Sequence, residues 1–398
     1  MSTPVAAAGP ARLPALDGLR AVAAGMVVLT HAAYLTGVGN DGLMGRVLAR
    51  GDFGVAIFFA LSGYLLTSQL ARERQRTSRL DLLGYAARRA ARVLPAYWLV
   101  LAVLVVLARP SARDAVLHAL GLQIYVADSQ VRSFGQSWSI ATELSFYALL
   151  PVAVIALHRL RGVRPHLPLN VLIVALVATS LLGLLVEPIV FTESVALERW
   201  LPWRAPHFLV GMILAECAVD RGHRASIALR RLAVDPAAAL ALAAAAYLVA
   251  VTPLAGSLAL EPAHGIFLVV RTAAGTILAG GLLLPLVLGG TSTWSSVLSS
   301  PVVRWLGLVS YGVFLWHLPV LEGIFAVSGA PFFRGGILPL LIVGVPVTLL
   351  LAALSYRWVE LPASRLAARM TPRERHAQRR DEGDADAALE PRRAERSG

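Results

Sequence analysis

Ten apolar runs, each near the roughly 20 residues that a helix needs to cross a bilayer, recur along the 398 residues of this chain. They fall at 16–36, 53–70, 93–108, 138–157, 168–187, 204–219, 236–253, 265–288, 303–326 and 337–357; the third and sixth are short, and 115–126 reads as an interfacial segment. Composition agrees. Hydrophobic residues make up 57% and charged residues 15%, where soluble domains carry about 25% charged. The expected fold is an all-α membrane protein with about ten transmembrane helices.

Every one of the 36 basic residues is Arg. With the N-terminus inside, the inner segments hold 25 Arg and the outer segments 7. That asymmetry predicts both termini in the cytoplasm of a multi-pass protein of the inner (plasma) membrane. The net charge of +12 does not point to nucleic acid, because the Arg residues sit in short loops between apolar runs. Four of them, Arg20, Arg204, Arg271 and Arg304, lie within or at the edges of the runs. The single cysteine, Cys217, excludes an intramolecular disulfide framework and a cysteine metal cluster, and no metal site is expected. Asp17 and Arg20 open the first run, which reads as a retained helix and not a cleaved leader. Residues 371–398 hold seven Arg and seven acidic residues. We therefore divide the chain into a membrane domain, 1–365, and a charged, disordered cytoplasmic tail, 366–398. No internal repeat is visible, and no loop has the length to fold alone.

An ionisable group within a spanning helix costs about 2.5–3.5 kcal/mol on insertion scales, so each needs a reason. LDGLRAVAAGMVVLTHA holds Asp17, Arg20 and His31. At about 100° per residue, eleven positions bring Arg20 and His31 within about 20° of one face, about 16 Å apart along the axis. Asp17, three residues earlier, can pair with Arg20. The bland alternative is a snorkelling Arg and a satisfied core His.

GVAIFFALSGYLL (54–66) interrupts a bulky helix with Ser62 and Gly63, which allow close packing or a helix break that lines a cavity. RRAARVLPAYW (88–98) places Arg88, Arg89 and Arg92 just before Pro95 and the third helix. Arg89 and Arg92, three apart, form a fork suited to a phosphate or pyrophosphate; the alternative is positive-inside anchoring. SWSIATELSFYALLP (137–151) buries Glu143 one turn before Tyr147, and that carboxylate needs a partner. SYGVFLWHLPV (310–320) holds His317, read as a helix–helix hydrogen bond or a second site residue. Arg357, Trp358 and Glu360 read as membrane-edge anchors, and Glu216 and Glu322 have no assigned role.

Taken in order, Arg20 and His31, FFALSGYLL, Arg-Arg-x-x-Arg, the WSxxxE pattern of Trp138 and Glu143, SYxxxLxHxP and the Glu-Leu-Pro-Ala ending resemble the acyltransferase-3 family over residues 14 to about 365. Each motif alone is weak; their order carries the resemblance. It implies O-acylation, from cytoplasmic acyl-CoA, of envelope sugars, peptidoglycan, nodulation factors, glucans or macrolides. It also implies that Arg20, His31, Arg89 and Arg92 match the family's required residues. Some family members carry a further extracytoplasmic domain; here transfer is expected to be completed within the membrane part.

The expected enzyme moves an acyl group, by default acetyl, from acyl-CoA to a hydroxyl of a carbohydrate or glycosylated acceptor. His31 is the expected general base, with a covalent acyl-histidine as the alternative. Arg20 orients the site or stabilises the oxyanion, and Asp17 or Glu143 holds the His31 tautomer or Arg20. Arg88, Arg89, Arg92 and Ser62 are the expected acyl-CoA contacts; acyl-CoA is a substrate, and no bound cofactor is expected. The partners are acyl-CoA, the acceptor and the bilayer. A secondary transporter of a glycolipid and a non-catalytic envelope scaffold are the alternatives, separable by thiol release from acyl-CoA.

Overall fold

The computed structural model describes residues 13–40, 42–77, 80–185, 197–256 and 265–370. The greater part of the assigned tail, 371–398, lies outside them. Among the described residues there is no strand. In chain order the helices are α1 (Pro14–Thr36), α2 (Gly42–Ala49), α3 (Gly54–Thr77), α4 (Leu82–Ala108), α5 (Ala112–Ala119), α6 (Trp138–Val163), α7 (Leu167–Leu181), α8 (Leu201–Val219), α9 (Arg224–Val234), α10 (Pro236–Val251), α11 (Gly265–Val287), α12 (Thr293–Leu298), α13 (Pro301–Ser328), α14 (Ile337–Ser355) and α15 (Leu361–Met370). Helices suit hydrocarbon because each satisfies its own backbone hydrogen bonds.

Among the described residues eight helices are long and apolar enough to cross a membrane, and a pair bent by 100°, α9 with α10, raises the number to nine. Two of the ten expected spans thus differ from the others. The sixth is α8, 19 residues long but carrying Arg204, His207 and Glu216. The seventh is α10, only 16 residues long, because Asp235 caps a new helix at Pro236 by accepting from Ala238 N at 3.1 Å.

The Arg cluster does not precede the third spanning helix but belongs to it. Asp81 caps α4 by accepting from Gly84 N at 2.8 Å, so the helix starts at Leu82 and runs through Pro95. A proline is tolerated there because neighbours at membrane depth re-satisfy the freed groups. Likewise α3 is unbroken through Ser62 and Gly63. The last helix runs to Met370, so the tail boundary at 366 falls inside it.

In lipid, helices associate by close packing and not by water exclusion. Helix α1 lies against α13 and α3, and α3 lies along α8. The α3–α8 crossing needs glycine on both sides: a Cβ on Gly63 would run into the Phe208 carbonyl oxygen, and one on Gly211 into that of Ala60. Beside this crossing Phe208 stacks between Phe59 (4.3 Å) and Phe146 (4.1 Å), tying α3, α8 and α6 together. These contacts fix the helices that carry the polar residues described next.

Candidate active site

Helix α1 is continuous from Pro14 to Thr36, so Arg20 and His31 project about 16 Å apart along it. Each reaches a different chamber.

The first chamber, about 100 Å³, is lined by Arg20 from α1, Ser62 from α3, Arg89 and Arg92 from α4, Glu143 and Tyr147 from α6, and Ser310 and Tyr311 from α13. Glu143 Oε1 accepts from Ser62 Oγ at 2.5 Å and from Tyr147 Oη at 2.7 Å. Arg20 pairs with Asp17 at 2.7 Å. Among the described residues no carboxylate is within ion-pair range of Arg89 or Arg92, and Arg89 Nε is buried without a partner. Three guanidinium groups thus face one carboxylate already held by two hydroxyls. Such a set suits an anion of high charge, since guanidinium donors match phosphate oxygens two at a time.

The second chamber, about 250 Å³, holds His31. His31 Nδ1 lies 2.9 Å from Val27 O and 3.2 Å from His317 Nε2. His317 is 0% exposed, and its own Nδ1 lies 3.2 Å from Val313 O. A carbonyl only accepts, so both Nδ1 atoms carry the hydrogen. His31 Nδ1–H is then shared between Val27 O and the bare Nε2 of His317. In the neutral ring that leaves His31 Nε2 unprotonated, which is the state a base requires. Around His31 the lining adds Arg50, Asp52, Gln136, Trp138, Glu198, Arg199, Arg204, His207 and Arg271. Asp52 pairs with Arg271 and, at 4.0 Å, with Arg50. Glu198 pairs with Arg199 at 3.7 Å. Arg204 lies over the Trp138 ring at 4.8 Å, a cation–π contact. Val55, Phe59 and Phe314 line both chambers and form the wall between them.

The geometry sorts the residues singled out from the sequence. Arg20, Ser62, Arg89, Arg92 and Glu143 come together in the first chamber, with Asp17 behind Arg20. His31 is not with them. An arginine side chain cannot close about 16 Å along α1, so Arg20 does not reach a reaction at His31. Neither Asp17 nor Glu143 sets the His31 tautomer; Val27 O and His317 do. Arg88 lines neither chamber. It pairs with Asp81 at 3.6 Å and Glu73 at 3.8 Å. Glu360 is not a membrane-edge anchor: it is 5% exposed within a π-helical turn, Tyr356–Glu360. Glu216 pairs with Arg161, and Glu322 accepts from Ser133 at 2.5 Å. Asp52, Gln136, Arg204, His207 and Arg271 were missed. For Arg204 and Arg271 the signal was available, since the insertion argument that drew attention to Arg20 applies to them equally.

Comparison with known proteins adds an independent line. Residues 13–357 match the acyltransferase-3 family, described as "Acyltransferase domain". The chain is 26% identical over 377 residues to O-acetyltransferase OatA of Staphylococcus aureus (strain NCTC 8325 / PS 47), covering 89% of this chain and 57% of that protein. It is 26% identical over 380 residues to peptidoglycan O-acetyltransferase OatA of Listeria monocytogenes serovar 1/2a, covering 88% of this chain and 55% of that protein. The chain thus spans little more than half the length of these relatives. No solved structure matches it.

Proposed function

We propose, for a chain that belongs to the acyltransferase-3 family, that it is a multi-pass plasma-membrane O-acyltransferase moving an acetyl group from acetyl-CoA to a hydroxyl of an envelope saccharide. The acetyl group and the saccharide are suggested by the relatives' names, one of which specifies peptidoglycan. The observation that carries the reading is the placement of Arg20 and His31 by one helix in two chambers that meet at Val55, Phe59 and Phe314.

In this reading the Arg20, Arg89 and Arg92 chamber takes the CoA phosphates, and Glu143, fixed by Ser62 and Tyr147, sets its lower boundary of charge. The pantetheine arm passes the apolar wall and brings the thioester to His31. The acceptor oxygen attacks the thioester carbonyl as His31 Nε2 takes its proton. The tetrahedral intermediate collapses, the C–S bond breaks, and the same proton passes to the departing thiolate. His317 keeps the ring in the reactive tautomer. Membrane topology follows from the Arg asymmetry of 25 to 7: ten spans, counting α8 and α10, with both termini cytoplasmic and the Arg chamber towards the cytoplasm, where CoA is available.

The test uses detergent-purified wild type and His31→Ala with labelled acetyl-CoA and an envelope extract, following free thiol and label together. Thiol release and a labelled saccharide from wild type alone are expected. Acetyl-CoA binding without any thiol release would remove the enzyme reading, and no binding at all would shift it to transport.

A further inference from the structure

The second chamber carries more polar groups than a proton transfer at His31 uses, and their pairing is uneven. Arg271 and Arg50 share Asp52, and Arg199 has Glu198. Arg204 has no carboxylate in ion-pair range among the described residues, and its Nε is buried without a partner. An unpaired guanidinium is costly both in a protein interior and at membrane depth. Its contact with Trp138 does not use its hydrogens. The guanidinium carbon lies over the ring, 4.8 Å from its centroid, and an indole offers the five N–H donors of Arg204 no oxygen or nitrogen acceptor. Trp138 therefore holds the fork in place with its donors available.

The unpartnered acceptors lie in the same chamber. Asp52 Oδ1, Glu198 Oε2 and Gln136 Oε1 are buried and have no hydrogen-bond partner among the described residues. Buried polar atoms of this kind are rare without a ligand or water. Three acceptors that need O–H donors, beside one cation that needs an anion, form the complement of a polyhydroxylated molecule with a negative charge.

We infer that the His31 chamber binds an acidic saccharide. Arg204 receives the sugar's carboxylate, and Asp52, Glu198 and Gln136 accept from its hydroxyls, leaving one hydroxyl at His31 Nε2. This rests on the O-acyltransferase reading for the identity of the reacting hydroxyl, but the binding claim can be tested without turnover.

The experiment measures binding of a hexuronate-containing disaccharide and of its uncharged methyl ester to the full chain in detergent, by calorimetric titration. The wild type is expected to bind the acid about tenfold to hundredfold more tightly than the ester, the range for one charge-assisted, two-pronged contact. Arg204→Gln should bring the two affinities together, and Arg204→Lys should restore part of the difference, since it keeps charge but loses the fork. The same disaccharide is then offered with labelled acetyl-CoA. Equal binding of acid and ester by wild type would overturn the inference, as would a preference that survives Arg204→Gln. Preferential binding of the acid without acetyl transfer would support the acidic-saccharide site while removing the enzyme reading.

Discussion

The two chambers solve different electrostatic problems on either side of one wall. In the first, the cations exceed the anions: Arg20 is balanced by Asp17, but among the described residues neither Arg89 nor Arg92 has a carboxylate in ion-pair range. In the second, Arg271 and Arg50 share Asp52 and Arg199 has Glu198, Arg204 lacks a carboxylate in ion-pair range among the described residues, and the imidazole of His31 sits among them. A chamber built around unmatched guanidinium groups is suited to hold a polyanion tightly. One that gives most of its guanidinium groups a carboxylate and adds an imidazole is suited to exchange a proton. Separating them keeps Arg89 and Arg92 out of the His31 chamber, where further cations without carboxylates would oppose the imidazolium that forms during transfer.

The sharpest way to break this division is to remove the base. His31→Gln should lower kcat for acetyl transfer by about 10²–10⁴, the range for general base catalysis. Acetyl-CoA binding, read by thermal shift, should be unchanged. A parallel loss of donor binding would mean the chambers are not separate in function. Next in size, Arg89→Ala and Arg92→Ala should each weaken apparent acetyl-CoA affinity by about tenfold to hundredfold, with kcat at saturating donor little affected. A kcat effect with KM unchanged would assign these residues to chemistry. His317→Gln should lower kcat by about tenfold or more through a misdirected His31 ring, with donor and acceptor KM preserved and a displaced pH–kcat profile. A change confined to thermal stability would make His317 structural. Smallest of all, Arg88→Ala should alter acetyl-CoA affinity by less than about twofold, as expected for loss of partly exposed ion pairs. It stands directly before Arg89 yet lines neither chamber, so a large effect would contradict the boundary drawn here.

The same contrast explains what could be read from the chain before its structure. The first chamber is written in short-range spacing. Arg89 and Arg92 share a helical face because they are three residues apart, and Glu143 and Tyr147 because they are four apart; those intervals are visible in sequence. Even there, the start of α4 was misplaced, because the capping of the helix by Asp81 outweighs the polar appearance of 82–92. The second chamber is assembled from positions far apart in the chain: Asp52 meets Arg271, and His31 meets His317. No local periodicity encodes those meetings. One helix departs from the expected pattern for a related reason: α8 carries the Arg204 and His207 that line the chamber, and so is less apolar than a simple span. Glu360 was read as an anchor because a run ends there, whereas the π turn directs it inward.

The wall of Val55, Phe59 and Phe314 has a consequence beyond chemistry. A plasma membrane stores energy as an ion gradient, and any polar path joining its two faces would discharge it. Two polar-lined cavities set end to end within a bilayer come close to being such a path. In the proposed reading the three hydrocarbon side chains between them act as a dielectric plug that admits a slender chain while denying passage to ions. By this logic the width of the plug is set from two directions, by the thickness of the arm it must admit and by the leak the cell can tolerate. Enlarging it to accept bulkier acyl groups would turn the proposed transferase into a pore.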